Sequence, residues 1–303
     1  MLIAQSLPLP LNYRPADMLS FHGRDSQSVS ERILGNILQK GMLWHGKPAL
    51  LSISLQTGLA RIDLQIDDTQ PCPEDAPALT ALARRMLGLT QNIEQFEAAH
   101  GTHPVVGTMI RQQSGLRVPV CASPFEALSW AITGQQISLA AALSLRRKLI
   151  RQAGIRHSSG LYCYPDAYHL SGMDSDTFRL AGISQGKATA LLSISHAVLE
   201  QRLPLDDWLH APAELFPDIS AALRNIKGIG PWTVNYTLLR GYGWLDGSLH
   251  GDAAVRRAIR TLMQSDPRLQ AYELTEKSAE SWLQPFSPWR ALLAAHLWQW
   301  QAP

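Results

Sequence analysis

Cysteine is scarce in this chain and scattered. Cys72, Cys121 and Cys163 form no CxxC pair, which excludes a disulfide framework and argues against zinc or an iron–sulfur cluster. No apolar run reaches the ~20 residues of a membrane-spanning helix. The opening MLIAQSLPLPLNYRP lacks the basic start and unbroken apolar stretch of a secretory signal. A cytoplasmic protein without membrane contact is expected. Repeats and low-complexity tracts are missing too, and so is an excess of one charge: 27 Lys+Arg stand against 25 Asp+Glu. The distribution says more than the balance. Residues 1–103 hold 8 basic and 10 acidic side chains, and residues 104–303 hold 19 and 15. The later part has two basic runs, Arg146, Arg147, Lys148, Arg151 and Arg256, Arg257, Arg260. Such runs suit a polyanion, although a basic run is more often the solvated face of a helix.

What is present is an ordinary globular composition, 46% hydrophobic and 17% charged over 303 residues. It excludes a disordered or collagen-like chain and leaves room for roughly two or three domains. Ala49–Leu55 and Leu59–Ile66 alternate apolar and polar residues around Gln56-Thr57-Gly58, which predicts a β-hairpin. Val29, Ile33 and Ile37 recur at helical spacing, which predicts a helix over 28–38. A small α+β domain over 1–76, closing near the Pro71–Pro77 stretch, fits this part. From residue 77 the pattern is one of short helices. Ser123-Pro124-Phe125-Glu126 carries an N-cap, a proline at the first helical position and an acid in the first turn. Two helical domains are expected, one from 77–122 with 200–303 and a middle one over 123–199.

The sharpest local pattern is Leu223-Arg224-Asn225-Ile226-Lys227-Gly228-Ile229-Gly230-Pro231-Trp232-Thr233-Val234-Asn235-Tyr236. A helix ends near Ile226, two glycines flank one apolar residue, and Pro231 starts a second helix. Gly228 and Gly230 are expected to take backbone angles closed to other residues, with Ile229 dropping into the core. The free amides and the positive end of the second helix would then face an anion such as a DNA phosphate. A plain turn between two helices with a glycine C-cap explains the same glycines. Asp252 follows a Gly-rich loop and opens Ala253–Ile259. On its own it is an N-cap; beside a phosphate-binding turn, where a carboxylate repels DNA, it hints at chemistry.

With GIGPWTVNYTLLRGYG, Gly251-Asp252 and the C-terminal PWRALLAAHLW, the chain resembles the helix–hairpin–helix DNA glycosylases, and within them the bacterial DNA-3-methyladenine glycosylase II group. SPFEALSWAITGQQISLAAA resembles that family's first DNA-facing helix pair, FRLAGISQGKATALLSISHAVLE its middle helices, and the N-terminal part its extra α+β domain. The resemblance implies an α+β protein with a mostly helical glycosylase core. It places Asp252 on the catalytic aspartate. It places Trp232, Tyr236 and Trp298 on aromatic residues of the base pocket, and Gly228, Ile229, Gly230 and Thr233 on the DNA-binding hairpin. Gln136 falls on the wedge that fills the gap left by a flipped nucleotide, where the group carries leucine. Gly251 and Ala253 depart from larger neighbours in that group, which bears on substrate range.

The resemblance also implies the reaction. A flipped, alkylated purine is cationic, attracts aromatic faces and is a ready leaving group, so a carboxylate suffices and no metal is required. Lyase-competent relatives carry a lysine two residues after the last hairpin glycine; this chain has Trp232 there. The expected activity is monofunctional: hydrolysis of the N-glycosidic bond of 3-methyladenine- or 7-methylguanine-type lesions, leaving an abasic site. The expected partner is double-stranded DNA with a damaged base, bound by a monomer that gathers on the nucleoid when it acts. No cofactor is expected. The resemblance allows a monovalent cation at the hairpin carbonyls, which needs no side-chain signature. Two other readings remain: a glycosylase for deaminated or oxidised purines, and an inert binder of damaged DNA in which Asp252 only caps a helix.

Overall fold

The computed structural model describes residues 1–70, 72–264 and 274–300; Pro71, at the expected boundary, lies outside them. Five strands form one antiparallel sheet in the order β1-β5-β4-β3-β2, with β1 Leu2–Pro8, β2 Glu31–Leu34, β3 Ile37–Trp44, β4 Lys47–Gln56 and β5 Leu59–Ile66. The expected hairpin is β4–β5. Gln56 pairs with Leu59 across Thr57-Gly58, and Ile53 with Ile62. The alternation survives because one face is buried: Leu51, Ile53, Leu55, Ile62, Leu64 and Ile66 all lie in the sheet's core.

The helix expected over 28–38 is instead the β2–β3 hairpin. Leu34 pairs with Ile37 across a two-residue Gly35-Asn36 turn, with Gly35 at φ +58°. The spacing of Val29, Ile33 and Ile37 matched a helix by coincidence, and the Gly-Asn pair in the middle is the stronger signal.

The helix Asp75–Met86 packs on the sheet, and its Leu79, Leu82, Ala83 and Met86 join the sheet's core. A second buried cluster gathers helices from Pro124–Gly134 through Phe216–Arg224 and Pro231–Thr237. A third joins Ile93–Leu116 to the C-terminal helices Ala253–Gln264 and Arg290–Trp300. Helix starts follow local chemistry. The Ser123 hydroxyl accepts from the Glu126 amide at 3.1 Å, and Ser138 caps Leu139–Ala153 through the Ala141 amide.

A buried ion network welds the sheet to the helices. Lys40 Nζ on β3 donates to Glu31 on β2 and to Glu126 on the 124–134 helix, each at 2.7 Å. Arg146 donates to Glu126 at 2.7 Å, and His22 Nδ1 meets Glu31 at 2.7 Å. Burial alone would raise the Glu31 carboxyl; Lys40 and Arg146 outweigh it and hold it well below the usual range. The first basic run is therefore split, with Arg146 drawn inward and Lys148 and Arg151 left exposed. Arg146 is buried in the network, Arg147 pairs with Asp25 at 3.0 Å and Arg151 donates to Gln27. Arg146, Arg147 and Arg151 thus make contacts to the N-terminal unit, and Arg146 is withdrawn from solvent. The network also fixes the helix Pro15–His22, which sequence spacing did not reveal and which forms one wall of the site described next.

Candidate active site

The helix Phe216–Arg224 ends, the chain turns through Asn225–Gly230, and Pro231–Thr237 begins. Gly228 sits at φ +89°, where a side chain is strained. Gly230 does not: its φ of −92° and ψ of 175° are open to any residue, and a Cβ there would meet nothing within 4 Å. Of the two glycines, only Gly228 is required by the turn itself. Ile229, 6% exposed, fills the core between the helices as expected. Among the described residues, the Gly228 and Gly230 amides have no hydrogen-bond partner. Thr233 is buried, and its hydroxyl accepts from the Gln135 amide at 2.8 Å. Its side chain thus serves the fold and is not presented to solvent. Gln135 also donates to the Gly228 carbonyl at 3.0 Å, so one side chain ties the hairpin to the loop that holds Gln136. Gln136 is exposed in a left-handed conformation, φ +57°. Beside it Ile137 and Leu139 are 38% and 55% exposed.

Asp252 stands at the start of Ala253–Gln264 and does cap it: Oδ1 accepts from the amides of Ala254 at 2.9 Å and Val255 at 3.1 Å. Capping is only part of its role. The indole N–H of Trp298 donates to Oδ1 at 3.1 Å and that of Trp232 to Oδ2 at 3.0 Å. Two tryptophans from helices 46 and 20 positions away thus clamp one carboxylate. Oδ2 carries a single protein partner, which leaves it open toward a ligand. Trp232 and Tyr236 stack with centroids 5.1 Å apart, as their four-residue spacing on one helix allows. Trp298 lies 6.4 Å from Tyr236, whose hydroxyl accepts from the Trp130 indole at 3.0 Å.

These groups line one cleft of about 710 Å³. The structure brings Asp252, Trp232, Tyr236 and Trp298 together there, with Ile137 and Leu139 along the lining. Ala253 also borders it, and a Cβ at Gly251 would make only ordinary contact, so small residues flank the acid. The sequence did not reveal the opposite wall. Phe21 and Arg24 come from the N-terminal helix and the turn after it, and Arg240 from a π-helical turn, Leu238–Tyr242. The Arg240 guanidinium lies 4.3 Å from the Phe21 ring and 5.4 Å from the Trp298 ring. It donates to the Pro119 carbonyl at 2.8 Å, and burial pushes its pKa down to about 10. Proline at Pro15 and an acid at Asp17 were the only local signs of that first helix. Nothing local marked its ring and cation as belonging to a site more than 200 residues away. Of the second basic run, Arg256 pairs with Glu276 at 2.7 Å, while Arg257 is exposed on the cleft.

The geometry has relatives. The chain is 28% identical over 198 residues to DNA-3-methyladenine glycosylase 2 of Escherichia coli, a match covering 64% of this chain and 63% of that protein, less than two thirds of its length. It is 22% identical over 285 residues to the DNA-3-methyladenine glycosylase of Bacillus subtilis, covering 93% and 91%. A solved 3-methyladenine DNA-glycosylase from Archaeoglobus fulgidus superposes with a TM-score of 0.79 at 17% identity, over 98% of this chain and 97% of that one. An 8-oxoguanine glycosylase/lyase of Clostridium acetobutylicum, solved with double-stranded DNA, gives 0.73 at 13% identity, over 99% and 97%. No family model matches the chain. By sequence the chain is similar to DNA-3-methyladenine glycosylases, and it shares the fold of these solved DNA glycosylases.

Proposed function

We propose that the chain is a DNA glycosylase that hydrolyses the N-glycosidic bond of alkylated purines, of the 3-methyladenine and 7-methylguanine type, flipped out of duplex DNA. The observation that carries this reading is the Asp252 carboxylate, clamped by the Trp232 and Trp298 indoles on the wall of a ring-lined cleft. Flipping costs a few kcal/mol, less at a damaged pair. The unpartnered hairpin amides suit the flanking phosphates. Gln136, exposed with Ile137 and Leu139 beside the cleft, suits the gap in the stack. A cationic purine rests against the Trp232 and Tyr236 faces. The base departs with the electron pair of the glycosidic bond, and positive charge builds on the sugar. Oδ2 of Asp252 faces that charge and takes the proton of the water that adds to the anomeric carbon. Trp232, at the position of the lyase lysine, supplies no amine, so the product is an abasic site on an uncut strand.

Every group used here belongs to one chain, so a monomer suffices. A monovalent cation at the hairpin would be held by backbone carbonyls alone. Those of Ile226, Gly228 and Gly230 each accept one N–H and keep a second lone pair; such an ion would add positive charge beside the phosphate. One observation favours a second substrate class. Arg24 and Arg240 on the cleft are donors of the kind a neutral, carbonyl-bearing purine requires.

Mass spectrometry of bases released from alkylated, deaminated and oxidised duplexes tests both readings. Alkylpurines are the expected main product; exclusive release of neutral bases overturns the alkylpurine reading. Asp252→Asn is expected to lower release at least about 100-fold while duplex binding survives. Undiminished release removes Asp252 from the chemistry, and no release from any duplex by the parent protein leaves a DNA binder only. Borohydride is expected to trap no protein–DNA adduct, since a trapped adduct requires an amine nucleophile.

A further inference from the structure

A second cavity, of about 660 Å³, shares no lining residue with the cleft. The π-helical turn Leu238–Tyr242 separates the two, giving Arg240 to the cleft and Tyr242 to the second cavity. Five rings line it: Trp208, His210, Phe216, Tyr242 and Trp244. Phe216 and Trp244 stack at 5.3 Å with planes only 8° apart, and the Tyr242 hydroxyl is fixed by donation to the Leu205 carbonyl at 3.0 Å. Flat, immobilised aromatic surface of this kind takes a planar ring at little entropic cost.

The charge of the lining has one sign. Arg84 and Arg85 border the cavity, and among the described residues no carboxylate does, whereas Asp17 and Asp252 both line the cleft. Arg84 is exposed and forms no ion pair among the described residues. Among the described residues the Arg85 side chain makes one hydrogen bond, to the Ala122 carbonyl at 2.8 Å, and its buried Nε has no partner. The Asp206 carboxylate acts on it electrostatically, with no ion pair between them among the described residues; burial lowers the Arg85 pKa. A desolvated guanidinium with donors to spare is completed by an anion.

We propose that this cavity is a second binding site, for a planar aromatic ring that bears an anionic group, the chemistry of a nucleoside monophosphate. The ring lies against the Trp208 and Trp244 wall, and the anion meets Arg84 and Arg85. This site is independent of base excision and stands whether or not Asp252 is catalytic.

Calorimetric titration of the full chain with adenosine 5′-monophosphate tests it, with adenosine and inorganic phosphate as separate arms. One saturable site is expected, binding the monophosphate at least about tenfold more tightly than either fragment, as loss of a charged hydrogen bond implies. Arg85→Gln is expected to weaken binding about tenfold or more. Arg84→Gln, at an exposed position where folding is not at stake, is expected to weaken it in the same direction. Trp232→Ala, in the cleft, is expected to leave the affinity unchanged. Three results overturn the proposal: no saturable binding of the monophosphate, equal affinity for adenosine, or loss of binding in Trp232→Ala with retention in both arginine variants.

Discussion

Gly228 and Gly230 look equivalent in the sequence, yet the backbone separates them. Gly228 lies at φ +89°, and Gly230 is extended with open space where a Cβ would stand. Alanine at 228 forces an L-residue into the left-handed region, at about 1–2 kcal/mol. Alanine at 230 adds a methyl group to solvent at no strain. Urea unfolding of the two variants is expected to show a loss of that size for Gly228→Ala and almost none for Gly230→Ala. DNA binding is expected to reverse part of this order. If a phosphate approaches the Gly230 amide closely, the added methyl weakens duplex binding in a protein of undiminished stability. Equal affinity for parent and Gly230→Ala in a salt-controlled binding assay removes the phosphate from that amide. Gly230 would then matter only as a helix start. The second glycine of the motif thus has no reason inside the folded chain, which makes it a sharper probe of the ligand than the first.

The elements show which signals a sequence carries. The β4–β5 hairpin was legible because each strand buries a single face, so that Leu51, Ile53, Ile62 and Leu64 alternate with polar neighbours. The β2–β3 hairpin was not, since Glu31 and Lys40 face the helices and put charge where alternation requires an apolar residue. Those same charges explain why Arg146 leaves the solvated face that a basic run more often forms: it answers Glu31 and Glu126, 115 and 20 positions away. At the site, Asp252 and its rings could be found because they sit in one short motif and the chain's last helix. Phe21, Arg24 and Arg240 could not, since only tertiary packing brings them to the cleft. The network that does this has a measurable cost when broken. Lys40→Met, at a wholly buried position, leaves the carboxylates of Glu31 and Glu126 with Arg146 as their one permanent cation, and Glu31 with His22 besides. Removing one partner of a buried ion pair typically costs about 3–5 kcal/mol. Chemical denaturation of Lys40→Met is expected to show a loss of that order; a loss below about 1 kcal/mol, the range of an exposed pair, marks the network as solvated.

At the scale of the molecule, acid links the helix that carries Trp298 to the stability of the whole fold. His296 lies two residues before Trp298, buried among the Phe96 side of the core. Its Nδ1 meets the Gln113 side-chain amide at 2.8 Å, with the amide nitrogen turned toward the ring, which is the partner of a neutral imidazole. Burial pushes its pKa down to about 3, from about 6.5 in the unfolded chain. The unfolded state therefore binds a proton below about pH 6.5 that the native state refuses until about pH 3. The stabilisation is complete above that upper value and declines as the pH falls toward the lower one, at up to about 1.4 kcal/mol per pH unit. Burial lowers the His22 pKa in the same direction. Glu31 and Glu126, whose pKa values are lowered by Lys40 and Arg146 against the effect of burial, lose stabilisation at still lower pH. The parent protein's acid profile is thus a composite, and a difference between two proteins isolates one histidine. His296→Gln keeps an amide beside Gln113 and has no proton to gain. Between pH 4 and pH 6 its unfolding free energy is expected to fall less steeply than the parent's, by about 1.4 kcal/mol per pH unit at most. Parallel profiles mean that His296 titrates as it does in water, and that the packing around the C-terminal helix admits a charge next to the tryptophan that clamps Asp252.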